Sequence, residues 1–86
     1  MKAPEQALSG PDPGQIRKHS LVIAGHRTSI SLETAFWEAL HDLARQKGVS
    51  VAAFAAEIDQ QRGAANLSSA LRVHLLQVFR DRASGS

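Results

Sequence analysis

The feature that most constrains this chain is a single stretch of alternation, Arg27-Thr28-Ser29-Ile30-Ser31-Leu32, followed by nothing but helical periodicity. Thr28, Ile30 and Leu32 fall on one side of an extended chain, and Arg27, Ser29 and Ser31 on the other. This is the period-two signature of a half-buried strand. Leu21 and Ile23 alternate in the same way with Val22, which leaves room for a second, shorter strand. Gly25 is placed for a turn or a bulge between them.

From residue 33 the period changes. Phe36, Leu40, Leu43 and Lys47 share one helical face with Trp37 and Ala44 beside it, while Glu38, Asp42, Arg45 and Gln46 make the wet side. A helix over 33–47 ends with Arg45 and Lys47 in its last turn and Gly48 just beyond, as the dipole and a left-handed cap favour. Ser50 is a natural cap for a second helix, whose stripe is Val51, Phe54, Ala55 and Ile58 and which ends near Arg62. Gly63 to Asn66 break the chain. A third helix then carries Leu67, Leu71, Leu75, Val78 and Phe79, widened by Val73 and Leu76, and ends near Arg82.

One well-marked strand among helices is an incomplete sheet, because both of its edges would carry unpaired backbone groups. The expected remedy is a second copy. The fold class this predicts is mainly α with one short β-ribbon, a strand followed by helices, intertwined as a homodimer. Its antiparallel two-stranded ribbon would be intermolecular, with an additional helix at the C-terminal end. The expected dimer core is Ile30, Leu32, Phe36, Trp37, Leu40, Phe54 and Ile58. Size argues in the same direction: a domain of ~60 residues buries only about 60% of its unfolded surface and wants reinforcement. With no cysteine among the 86 residues, disulfides and thiolate zinc sites are excluded as that reinforcement.

Pro4, Gly10, Pro11, Pro13 and Gly14 mark residues 1–16 as a flexible arm. The domain is expected over 17–82, with 83–86 a disordered tail. Residues 1–16 have no apolar core of a signal peptide, and no run approaches the ~20 apolar residues of a membrane span. Together with the missing cysteines, this suits a cytoplasmic protein.

Net charge is only +2, but it is unevenly placed. Arg17, Lys18 and Arg27 stand in a stretch, 17–32, that holds no acid, whereas 33–62 is net acidic. A basic strand region points to an anionic partner.

Catalytic chemistry finds little footing. There is no glycine-rich phosphate loop, no helix with two histidines flanking a glutamate, no thiol and no nucleophile-elbow serine. His19 and His26 could pair as metal ligands or as a pH-sensitive couple, but no third ligand stands at a recognisable spacing. His41 and His74 read as surface or boundary residues, and Trp37 as a packing residue. The chain is therefore expected to be a non-enzyme without metal or cofactor.

The run Ala24-Gly25-His26-Arg27-Thr28-Ser29-Ile30-Ser31-Leu32-Glu33, followed by Ala35-Phe36-Trp37 and Leu40, resembles small bacterial ribbon-helix-helix domain proteins. The turn Gly48-Val49-Ser50 and the segment Asn66-Leu67-Ser68-Ser69-Ala70-Leu71-Arg72 are similar to theirs as well. The wider superfamily is that of Arc and the methionine repressor, and the resemblance covers about residues 17–82. It implies a DNA-binding protein, a transcriptional regulator whose dimeric ribbon enters the major groove of double-stranded DNA. The base-contacting residues would be Arg27, Ser29 and Ser31. Phosphates would be held at the start of the second helix, by Val49, Ser50 and Val51, and by Arg17 and Lys18. This chain departs from many relatives in having one arginine and two serines where larger readers are common. The rival expectation is a dimeric or higher-order adaptor that uses the same fold to bind protein.

Overall fold

The computed structural model describes residues 12–64 and 66–85. Two strands, β1 (Ile16–Ile23) and β2 (His26–Glu33), precede three helices: α1 (Thr34–Lys47), α2 (Val51–Gln61) and α3 (Leu67–Gly85). The strands form one antiparallel hairpin, in register from Ile16 opposite Glu33 to Ile23 opposite His26. Its two-residue turn is Ala24 (φ 52°) and Gly25 (φ 83°). Two consecutive positive φ values make the turn whose twist matches that of the strands it joins.

This corrects the expected ribbon in one respect. It is two-stranded and antiparallel, but both strands come from one chain. The second strand is also longer than Leu21 to Ile23, because five more residues, beginning at Ile16, pair with β2.

The junction between the hairpin and α1 explains part of that length. Glu33 precedes α1 without capping it through its side chain. Instead the Thr34 and Ala35 amides donate to the carbonyls of Gln15 (2.9 Å) and Pro13 (3.0 Å). The Thr34 hydroxyl also donates to Gln15 O (3.2 Å). Two of the orphan donors of the first helical turn are thus satisfied by the chain entering β1. The arm expected over 1–16 is therefore tied down from Pro13 onward; residues 1–11 lie outside the described residues.

The other boundaries follow their capping residues. Gly48 (φ 72°) ends α1, its amide bonding Arg45 O while the Val49 amide bonds Ala44 O, both at 3.0 Å. Ser50 caps α2 by accepting from the Ala53 amide (3.0 Å). Asn66 caps α3 in the same way, accepting from the Ser69 amide (2.8 Å). α3 runs past Arg82 to Gly85, so residues expected in the tail are helical.

The core closes within one chain. Leu32, Leu40, Ala55 and Leu71 are wholly buried, and Ile23, Ile30, Leu43, Phe54, Ile58 and Leu75 nearly so. Of the residues expected to form a dimer core, Ile30, Leu32, Leu40, Phe54 and Ile58 are buried by the protein's own helices. Phe36 and Trp37 pack at its margin, half-buried. The third helix supplies Leu67, Leu71 and Leu75 and packs on β2, α1 and α2, so it completes the core.

Candidate nucleic-acid interface

The hairpin register sorts its side chains into two faces, because directly opposed residues share a face. Ile30 and Leu32 are buried, so their partners His19 and Arg17 stand on the inner side. The outer face is then built of the pairs Val22–Arg27, Ser20–Ser29, Lys18–Ser31 and Ile16–Glu33. Arg27 and Ser29 are exposed, and Ser31 is half-buried beside α3. From the turn towards the open end this face presents a guanidinium, two serine hydroxyls, and then an ammonium beside a third.

The one carboxylate on the face is engaged. Glu33 accepts from Arg72 of α3 (2.8 Å). Its carboxyl is held below the usual range, first by that hydrogen bond and then by one from its own backbone amide, so it stays ionised and partnered. Arg72 also reaches Ser31 O (3.5 Å), and the Ser31 amide donates to Ser68 Oγ (3.1 Å). Ser31 sits where its backbone groups point away from β1, and α3 covers that stretch of the β2 edge.

The sequence-derived contact set is redistributed by this geometry. Arg27, Ser29, Ser31 and Lys18 share the outer face, whereas Arg17 stands on the opposite one, across from Leu32. Ser20 and Val22 join the outer face, and sequence reasoning missed them. The signal was available in the two-residue loop Ala24-Gly25, which fixes the register once it is taken as a hairpin turn. At the start of α2, Val49 is removed as a backbone phosphate ligand, because its amide is spent on Ala44 O. Ser50 keeps its cap bond, and the amides of Val51 and Ala52 follow it at the positive end of the helix.

A second cluster lies on the inner side. The His19 ring stacks on Trp37 of α1 (centroids 3.7 Å, 4° between planes), and His41 meets the same indole edge-on (4.6 Å, 68°). The Nε2 atoms of both histidines are buried without a hydrogen-bond partner. Burial lowers the His19 pKa from its ordinary value, helped by Arg17 and then His41. His19 is thus in contact with Trp37 and acted on by His41, while His26 stands at the turn against Ile23, so the pairing of His19 with His26 that the sequence left open is not formed. Among the described residues no group of three His, Cys, Asp or Glu side chains is placed to hold a metal ion.

Between α1 and α3 the surface carries a shallow apolar hollow of about 170 Å³ lined by Ala35, Phe36, Ala39, Leu75, Leu76 and Phe79. Leu76 and Phe79 are 53% and 44% exposed. No helix among the described residues is long and apolar enough to cross a membrane.

The sequence profile of the ribbon-helix-helix domain family matches residues 16–79. Among solved structures, an uncharacterized protein from Bordetella pertussis Tohama I is similar at 30% identity and a TM-score of 0.74. The similarity covers 99% of this chain and 74% of that one. No curated protein matches.

Proposed function

Because the chain belongs to the ribbon-helix-helix domain family, we propose that it is a cytoplasmic DNA-binding protein, a transcriptional regulator that reads the major groove with the outer face of its hairpin. The observation that carries this reading is the chemistry of that face: Lys18 and Arg27 with Ser20, Ser29 and Ser31 between them, and its single carboxylate already tied to Arg72. The major groove, about 12 Å wide, admits a two-stranded ribbon. Arg27 is the group suited to guanine O6 and N7. The serines supply single hydrogen bonds to bases, which discriminate less. Lys18 neutralises phosphate, and the amides of Val51 and Ala52, with the Ser50 hydroxyl beside them, offer a second anchor. Two copies acting as a homodimer would double the stretch of duplex that is read. The role is binding, without a catalytic step.

The test is a fluorescence-anisotropy titration of duplex DNA at two salt concentrations. Arg27→Ala is expected to cost about 1–3 kcal/mol of affinity. Loss of preference for one sequence would identify a base contact, and uniform weakening with a shallower salt slope a phosphate contact. Lys18→Ala should flatten the salt dependence by about one counterion. Failure of the wild-type protein to bind any duplex at low salt would refute the proposal.

The exposed Leu76 and Phe79 beside Phe36 favour a second reading, an adaptor that docks protein on the α1–α3 hollow. Under that reading Leu76→Asp abolishes partner binding while salt has little effect.

A further inference from the structure

We propose that His19, Trp37 and His41 form a proton-sensitive joint between the hairpin and α1, closed while the His19 imidazole is neutral and loosened when it takes up a proton. This does not rest on the DNA-binding reading.

The geometry supplies the argument. The Gln15 and Pro13 carbonyls just before β1 bond the first turn of α1, and the ring stack is a direct side-chain contact between strand and helix. A neutral imidazole can lie flat on an indole by dispersion and leave one nitrogen bare. Here that nitrogen, Nε2, is buried with no acceptor in reach. A protonated ring would carry an N–H donor there with nothing to receive it, next to a second histidine whose Nε2 is equally unpartnered. Attraction between a cation and the indole face opposes this. Burial of the charged form acts against that attraction, and Arg17 and then His41 act in the same direction as burial.

Among the described residues no acidic group acts on His19. The titratable groups acting on His19 are Arg17 on its own strand and His41 on α1, and both disfavour a proton there. On β2, Glu33 is held by Arg72 and Arg27 lies on the outer face. On α2, which packs against β1, Asp59 is paired with Arg62 and Glu57 is exposed; on α1, Glu38 is exposed and Asp42 is paired with Arg45.

The sign follows from the direction of the shift. A histidine whose folded pKa is lowered binds its proton more readily in the unfolded chain. Its contribution to stability is complete above the unfolded value of about 6.5 and is lost as pH falls through the lower folded value.

Trp37 is the only tryptophan of the chain and reports the joint directly. Urea unfolding followed by Trp37 fluorescence between pH 8 and 5 should show the folding constant falling below pH 6.5. The part due to His19 can reach at most about tenfold per pH unit. His19→Phe keeps a ring on the indole and removes the proton site; its folding constant should lose that part of the pH dependence while remaining folded at pH 8. His41→Gln, which removes the neighbouring titratable ring, should raise the pH at which His19 titrates by NMR. A His19→Phe profile parallel to wild type from pH 8 to 5 would overturn the proposal, as would a His19 titration at or above 6.5 in the folded protein.

Discussion

Replacing Leu71 with alanine tests whether the third helix is part of the fold. Leu71 is wholly buried, and its helix packs on β2, α1 and α2. Deleting three carbons removes about 2.4 kcal/mol of transfer energy at ~0.8 kcal/mol per methylene. The cavity left behind brings the expected loss to about 3–5 kcal/mol. For 86 residues the whole stability is of the order of 4–13 kcal/mol, so the variant should be badly weakened or unfolded. Leu76→Ala, one turn and a little further along, removes the same atoms from a side chain that is 53% exposed, and should cost under about 1 kcal/mol. The assay is urea unfolding followed by circular dichroism, where a slope of about 1–2 kcal/mol per molar turns 3 kcal/mol into a midpoint shift of roughly 1.5–3 M. A Leu71→Ala loss below about 1 kcal/mol, or a Leu76→Ala loss that equals it, would refute the packing of α3.

Three further outcomes follow from particular contacts. Ala24→Asn should raise stability by about 0.5–1 kcal/mol in thermal melts, because Ala24 holds φ 52°, where an alanine is strained and asparagine is at home. Deleting residues 1–11 should leave the melting temperature unchanged, whereas deleting 1–15 removes the Pro13 and Gln15 carbonyls from the start of α1 and should lower it by several degrees, at about 4–8 °C per kcal/mol. Arg72→Met should return the Glu33 carboxyl towards its ordinary 4.5 in an NMR titration. Since the Glu33 pKa is lowered in the folded protein, its contribution is present above that ordinary value and lost as pH falls through the folded one, so acid unfolding should be steeper in wild type than in the variant.

Much of this architecture is legible in the sequence because it is written in local patterns. Ile30 and Leu32 alternate and are buried; Gly48, Ser50 and Asn66 each cap a helix through a side chain or backbone angle that the residue type favours. β1 is harder to see for a physical reason. Its inner-face residues are Arg17, His19, Leu21 and Ile23, and only the last is fully buried, because the core lies under the turn end of this strand and thins towards its start. A strand that is apolar over half its length leaves only half a signal. The stack of His19 on Trp37 and the reach of Arg72 to Glu33 span 18 and 39 residues, and no periodicity links positions that far apart. Val49 looked available to a phosphate because a turn residue is expected to have a free amide, yet the cap of α1 consumes it.

The case for two copies changes with the hairpin. From sequence, a second copy was needed to pair the backbone of a strand that had no partner. In the folded chain β1 takes one edge of β2, and on the other edge Ser68 and Arg72 take the amide and carbonyl of Ser31. Pairing β2 with its symmetry mate along that edge would first break both of these hydrogen bonds and disturb the Arg72–Glu33 ion pair. A polar group stripped of one partner must find another of equal quality, so such an exchange gains little unless the new ladder is longer than the contacts it displaces. The edge at Arg27 and Ser29, nearer the turn, has no such cover among the described residues. Exposed apolar side chains stand on the hairpin, at Ile16 and Val22, and on α3, at Val73, Leu76 and Phe79, the last two beside Phe36. A pairing of two copies would therefore gain more from burying such side chains than from extending the ladder of β2.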